Sequence, residues 1–267
     1  MQVTIEQVVR AKEQGRRLSA TTCYGADFGK FIEDSNIDIV LVGDSLGNVM
    51  LGYGDTTSVT LPQMIHHTRA VASVVKRPLL VADLPIYTYG KVQSALENAR
   101  QLIQAGAQAV KLEGGWAVTQ QVTALVRSGI PVMGHIGFTP QSIQKFGGHK
   151  VQGRIRSQVR KLCQDARALA EAGAFAIVLE LMTRECAEQI TRKVKIPTIG
   201  IGAGPACDGQ ILVLHDILGF NKEFKPKYVK KYADIEWIAS RALDAYDKDV
   251  KSSRFPGFEN SFTIHEK

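Results

Sequence analysis

The chain holds 267 residues, 45% hydrophobic, 22% charged and 7% aromatic, a balance that excludes disorder, collagen and coiled coil as descriptions of the whole. No apolar run approaches the roughly 18 residues of a membrane span, and Met1-Gln2-Val3-Thr4-Ile5-Glu6-Gln7 lacks the basic-then-apolar layout of a signal peptide, so a cytoplasmic protein with no membrane partner is expected. Lys+Arg of 33 against Asp+Glu of 26 gives +7, which favours small anionic partners; the basic run Lys222 to Lys231, with Phe224 and Tyr228 its only aromatics, reads as a solvated loop and not as a nucleic-acid surface.

Thr4 and Gln7 form a capping box that opens a short helix over about residues 4–15, placed to cover one end of the fold. Two apolar runs, Leu18 to Tyr24 and Ile37 to Val42, come next as strands. His66 and His67 then sit side by side on a predicted helix, where neighbours point in different directions, and are assigned structural roles. The next strand, Leu79 to Asp83, comes after Pro78. Pro131 and Pro197 open two later apolar runs in the same way, and proline is tolerated where a strand begins.

Ala95, Leu96, Ala99, Leu102 and Ile103 recur at helical spacing and are closed by Gly106 as a left-handed cap. The strand Ala109 to Leu112 is next, then Val132 to His135. Pro140 fits the first turn of a helix behind Thr139 as N-cap, which explains that segment without chemistry. Val159, Leu162, Cys163, Ala166, Leu169 and Ala170 repeat the helical pattern, ended by Gly173 before the strand Ala174 to Glu180. Thr198 to Ile201 is the seventh strand, and Ile211 to Leu214, which equally suits a helix start, is the eighth. Eight strands alternating with helices predict one α/β domain across residues 1–267, a (βα)8 TIM barrel with a short N-terminal helix. Cys23, Cys163, Cys186 and Cys207 show no C-x-x-C spacing and are expected as free buried thiols.

Ionisable residues interrupt the strands near their carboxyl ends: Asp44 after the second, Asp83 in the third, Lys111 and Glu113 in the fourth, His135 in the fifth, Glu180 in the sixth. In a parallel barrel all those ends share the face that carries active sites. Asp44, Asp83 and Glu113 offer hard oxygen donors with no cysteine or histidine cluster beside them, which suits magnesium better than zinc. A 2-oxo acid would chelate such an ion through its carboxylate and ketone, the metal then favouring enolate formation. Lys111 adds positive charge and Glu180 is a candidate base. His135 is either a polar contact to a ligand or a histidine satisfied by loop carbonyls, and the sequence leaves both open. The residues alone carry the argument to metal-assisted enolate chemistry.

At these positions the sequence resembles the ketopantoate hydroxymethyltransferase family. The matching stretches are Leu41-Val42-Gly43-Asp44-Ser45-Leu46-Gly47, Ala82-Asp83-Leu84-Pro85, Val110-Lys111-Leu112-Glu113-Gly114-Gly115, Gly134 to Ser142, Gly147-Gly148-His149-Lys150-Val151-Gln152-Gly153, Val178-Leu179-Glu180, and Ile199 to Gly204 through Asp208-Gly209-Gln210 to His215-Asp216. The resemblance implies transfer of a hydroxymethyl group from 5,10-methylenetetrahydrofolate to 3-methyl-2-oxobutanoate, giving 2-dehydropantoate and tetrahydrofolate in pantothenate biosynthesis. It implies Mg2+ held by Asp44, Asp83 and Glu113, oxo-acid contacts from Asp44, Ser45, Asp83 and Lys111, and Glu180 as proton acceptor. A homodecamer is the assembly it suggests. One departure stands out: after Thr22-Cys23-Tyr24 the family commonly has Asp, and here Gly25 takes the position.

Three rival readings can be framed. Gly43-Asp44-Ser45-Leu46-Gly47 satisfies the G-x-S-x-G of a hydrolase nucleophile elbow, with only His215-Asp216 or His265 to complete a triad. Gly200, Gly202 and Gly204 form G-x-G-x-G, the spacing of a dinucleotide grip only if a helix comes next. A lyase acting on a related 2-oxo acid would use the same metal and the same strand ends.

Overall fold

The computed structural model describes residues 2–143, 147–148, 150–221, 223 and 226–264. Two compact units divide the chain, residues 1–214 and 215–267. The first unit runs α1 (Ile5–Glu13), β1 (Leu18–Thr22), α2 (Ala26–Glu33), β2 (Ile39–Val42), a single turn α3 (Leu46–Val49), α4 (Leu61–Val74), β3 (Leu79–Asp83), α5 (Val92–Gln104), β4 (Ala109–Glu113), α6 (Thr119–Arg127), β5 (Val132–Gly137), α7 (Arg156–Glu171), β6 (Ala176–Glu180), α8 (Arg184–Lys193), β7 (Thr198–Ile201) and β8 (Gly209–Leu212). Each strand pairs in parallel with the next, and β8 returns to β1 through Leu18↔Gly209 and Ala20↔Ile211, closing the barrel. The expected (βα)8 fold is thus the observed one.

All eight expected strands are present, with shifts at the ends. The eighth is displaced most: it starts at Gly209, two residues before the apolar run. A Cβ at Gly209 would stand 2.6 Å from the Leu18 carbonyl oxygen, so close pairing with β1, not hydrophobicity, sets that boundary. The helical character sensed in Ile211 to Leu214 belongs to the short α9 (Leu214–Leu218) just beyond it.

The predicted capping box opens α1, with the Gln7 N–H donating to Thr4 Oγ1 at 3.2 Å and the Thr4 N–H to Gln7 Oε1 at 3.0 Å. Val8 and Ala11 are fully buried in a cluster with Leu18, Ile39, Leu79 and Ala109, the first residues of β1 to β4. Lys12 clamps the helix in place, its ammonium donating to the Thr191 carbonyl and to Asp208, both at 2.8 Å. α1 therefore plugs the amino end of the barrel and leaves the carboxyl end for ligands.

Pro78, Pro131 and Pro197 each stand one residue before a strand, and the Pro131 and Pro197 carbonyls still accept from Val110 and Ile177 of the neighbouring strands. Gly106 caps α5 at φ +109°, where a Cβ would also meet the Ala72 Cβ at 2.4 Å. We expect Gly106→Ala to lower the unfolding free energy by about 2–3 kcal/mol, seen as a lower urea midpoint at unchanged slope. An unchanged midpoint would refute this account of the cap.

All four cysteines are buried and free, as expected. In the second unit, Asp234 caps α10 (Ile235–Lys251) by accepting from the Trp237 N–H at 3.2 Å. Of the basic run, Lys222, Phe224 and Lys225 lie outside the described residues, as do His149 and His265. Among the described residues no helix is long and apolar enough to cross a membrane.

Candidate active site

Strand alternation and register bring the expected residues together. Lys111 and Glu113 are two apart on β4 and so face the same way; their partners across the ladders are Asp83 on β3 and His135 on β5. Glu180 ends β6 opposite Gly137. Asp44, two residues past β2, is tied to this row by its N–H donating to Asp83 Oδ2 at 3.1 Å. The six groups form one chain of contacts, and five of them are buried to 5% exposure or less. The Glu180 side chain, at 18%, is the most open of the set.

Lys111 Nζ lies 2.6 Å from Asp83 Oδ1. Burial alone would lower the lysine pKa, but Asp83, Glu113 and Asp44 outweigh it, so Lys111 is held firmly as a cation. His135 sits between two carboxylates, with Nδ1 3.3 Å from Glu113 Oε1 and Nε2 3.2 Å from Glu180 Oε2; the second approach is an ion pair without hydrogen-bond alignment. Burial and Lys111 both work against a proton on this ring, yet Glu113 and Glu180 raise its pKa to about 9. Lys111 Nζ is also 3.4 Å from Nδ1; since an ammonium only donates, that contact is repulsive while the ring is protonated. Of the two readings left open for His135, satisfaction by loop carbonyls does not describe this position: its neighbours are the carboxylates of Glu113 and Glu180.

Burial raises the Asp44 pKa well above the ordinary carboxylate range, and the charges of Asp83 and Glu113 add to it. The Asp83 pKa is raised by burial too, against the opposing pull of Lys111. Four carboxylates face one lysine and one histidine, leaving the group formally negative even with the ring protonated. A small divalent cation would relieve that repulsion, and hard carboxylate oxygens are the donors magnesium takes.

Glu180 is placed by its backbone. Its carbonyl accepts from the Phe138 N–H at 2.9 Å, and a Cβ at Gly137, φ +103°, would overlap that oxygen at 2.2 Å. Leu181 then turns the chain away at φ 45°.

Ser45 Oγ is 2.8 Å from the Tyr24 hydroxyl, and Ser45 has ordinary right-handed dihedrals, φ −54°, ψ −15°. The strained backbone of a nucleophile elbow is therefore missing at this serine. Gly202 and Gly204 have φ +62° and +82°, and a Cβ at Gly204 would meet Arg184 at 2.7 Å. β7 leads straight to β8 with no helix between them, so these glycines serve turning and close packing, not a pyrophosphate. Gly25 is the N-cap of α2, without a side-chain cap, a position where an Asp could cap the helix.

Two residues had no assigned part. The turn at Pro140–Ser142, explained from sequence by capping alone, carries the buried Gln141, whose N–H donates to Glu113 Oε2 at 3.0 Å and whose amide donates to Asp44 Oδ2 at 2.8 Å. Thr139 makes no side-chain cap bond there. Tyr89, from the loop after β3, donates its hydroxyl to Gln141 Oε1 at 2.5 Å. Gln141 was visible only within a motif, and Tyr89 gave no signal at all.

Comparison with known proteins identifies the family. The family model for Ketopantoate hydroxymethyltransferase matches residues 2–258. The 3-methyl-2-oxobutanoate hydroxymethyltransferase of Clostridium novyi (strain NT) is 51% identical over all of this chain and 98% of its own length. The enzyme of that name from Moorella thermoacetica is 48% identical over 97% of both chains. Among solved structures, phosphonopyruvate hydrolase complexed with oxalate and Mg++ superposes with a TM-score of 0.63 at 14% identity, over 97% of this chain and 93% of that one. 2,3-Dimethylmalate lyase, a PEP mutase/isocitrate lyase superfamily member, gives 0.62 at 18%, over 98% and 92%; both are likenesses of fold. On the strength of the family model and the close relatives, the chain belongs to the ketopantoate hydroxymethyltransferase family.

Proposed function

We propose that this hydroxymethyltransferase takes its one-carbon unit from 5,10-methylenetetrahydrofolate and, with one water, converts 3-methyl-2-oxobutanoate to 2-dehydropantoate and tetrahydrofolate, a step toward pantothenate. The observation that carries the chemistry is a buried, carboxylate-rich row of side chains at the carboxyl end of the barrel with Glu180 its most open member.

Asp44, Asp83 and Glu113 would hold Mg2+, the ion found with oxalate in a relative of the same fold. Among the described residues no three or more His, Cys, Asp or Glu groups form a metal-holding cluster on their own, and magnesium usually takes one or two carboxylates with water and substrate completing its octahedron. When bound, the ion withdraws charge from the ketone and so acidifies the neighbouring C–H.

Glu180 takes the C3 proton of the oxo acid, leaving a carbon nucleophile for the folate-borne methylene. His135, cationic between Glu113 and Glu180, lowers the cost of burying the Glu180 carboxylate. Lys111, with Asp44, Ser45 and Asp83, binds the polar end of the oxo acid, its fixed positive charge matching the carboxylate. Within the second unit, α10 has no buried residue and exposes Trp237, Ile238, Leu243 and Tyr246. Exposed apolar surface of that kind supports self-association, as a homodecamer in this proposal.

The test is formation of 2-dehydropantoate from the two substrates, with magnesium and then with excess chelator. We expect product that disappears on chelation and returns with added Mg2+. Folded enzyme that makes no product with magnesium would overturn the proposal and favour the oxo-acid lyase. Product that persists through chelation would remove the metal from it.

A further inference from the structure

Gln141 touches two of the three carboxylates assigned to magnesium, yet comes from a loop turn and not from a strand. Its side-chain amide donates to Asp44 Oδ2 at 2.8 Å and to the Leu84 carbonyl at 3.1 Å, and its N–H donates to Glu113 Oε2 at 3.0 Å. The orientation of a glutamine amide is settled by its partners. A carbonyl can only accept, so the contact with Leu84 assigns the NH2 group to that side. Oε1 then faces Tyr89, whose hydroxyl must donate to it across 2.5 Å. Turning the amide over would set Oε1 against Asp44 and the Leu84 carbonyl, a loss of two buried hydrogen bonds. Gln141 is 4% exposed, so no solvent competes for these contacts. Burial first, and then the charges of Glu113, Asp44 and Asp83, keeps the Tyr89 phenol neutral and able to donate.

We propose that Gln141, its amide locked by Tyr89, is a positioning residue that holds Asp44 Oδ2 and so fixes the orientation of a carboxylate that would serve the divalent cation. Tyr89, which also meets the Glu113 backbone, acts on Asp44 through Gln141 in this scheme. The inference rests on the metal assignment of the proposed function. It adds that metal affinity is set in part by loop residues of the β3 and β5 ends.

The experiment is Mn2+ binding to metal-free enzyme by electron paramagnetic resonance, for wild type, Gln141→Met, Tyr89→Phe and the double variant. Methionine keeps the length and the backbone N–H to Glu113 but loses the amide. We expect Gln141→Met to weaken Mn2+ binding about tenfold or more, the usual result of removing a group that orients a metal ligand. Tyr89→Phe should weaken it by a smaller factor, and the double variant should be no worse than Gln141→Met alone. In turnover, the Mg2+ concentration for half-activation should rise by the same factor while kcat at saturating Mg2+ stays near wild type, a split that a merely structural role would not give. Unchanged Mn2+ affinity in both single variants, or additive losses in the double, would overturn the inference. Wild type that binds no Mn2+ would overturn the metal assignment itself. If Gln141→Met melts far below wild type, Tyr89→Phe decides alone, weakened binding supporting the inference and unchanged binding overturning it.

Discussion

Asp83→Asn is expected to lower kcat/KM by about a thousandfold, roughly 4 kcal/mol of transition-state stabilisation, and to weaken magnesium binding with it. Asparagine preserves the shape and an acceptor for the Asp44 N–H, while removing the charge and the acceptor that now faces Lys111 Nζ. Asp83→Ala goes further, because it strands the buried Lys111 ammonium that now stands 2.6 Å from Asp83. Loss of one partner of such a pair costs about 3–5 kcal/mol of stability, readable by urea denaturation of the metal-free protein. Metal binding should also carry a pH signature. Asp44 and Asp83 have pKa values raised above the ordinary carboxylate range, chiefly by burial. A raised carboxyl pKa means the folded metal-free chain binds its proton more tightly than the unfolded chain. Its stability therefore falls as pH climbs from the unfolded pKa to the raised one. Magnesium must displace those protons, so its affinity should rise with pH over the same window, with proton release measurable by calorimetry in buffers of different ionisation enthalpy. Full turnover in Asp83→Asn would defeat the assignment.

Glu180→Gln should bind the oxo acid with nearly unchanged affinity and turn it over about 10²–10⁴ times more slowly, the range for losing a general base. Isotope exchange at C3 of 3-methyl-2-oxobutanoate, measured without folate, should fall by the same factor, since it reports the proton step alone. The variant should also move His135. Two carboxylates hold that ring's pKa at about 9, and removal of one lets burial and Lys111 pull it back down, which imidazole NMR resonances would track. Exchange at the wild-type rate in Glu180→Gln would move the base elsewhere.

The fold was legible because apolar strands, proline starts and glycine caps are local signals, each set by a few neighbouring residues. The site was legible wherever a strand delivers the side chain: Asp83, Lys111, Glu113, His135 and Glu180 announce themselves as ionisable groups in otherwise apolar runs. The same logic fails in loops. Tyr89 and Gln141 are brought to Asp44 by chain paths that no periodicity encodes, and Gln141 carries no charge to make it conspicuous among buried neighbours. His135 was placed by sequence but not understood, since its partners, Glu113 and Glu180, come from the strands on either side. The start of β8 was misplaced for a related reason: Gly209 belongs there because it has no side chain, a property invisible to a search for apolar residues.

The plug formed by α1 makes the barrel a blind alley. With Val8 and Ala11 closing the floor and Glu180 the most open of the charged groups, the Glu180 side is the approach the proposed function uses. If the oxo acid seats against Asp83 and Lys111 with the folate above it, as the proposed function has them, the expected order is oxo acid in first and its product out last, an order that product-inhibition patterns would test.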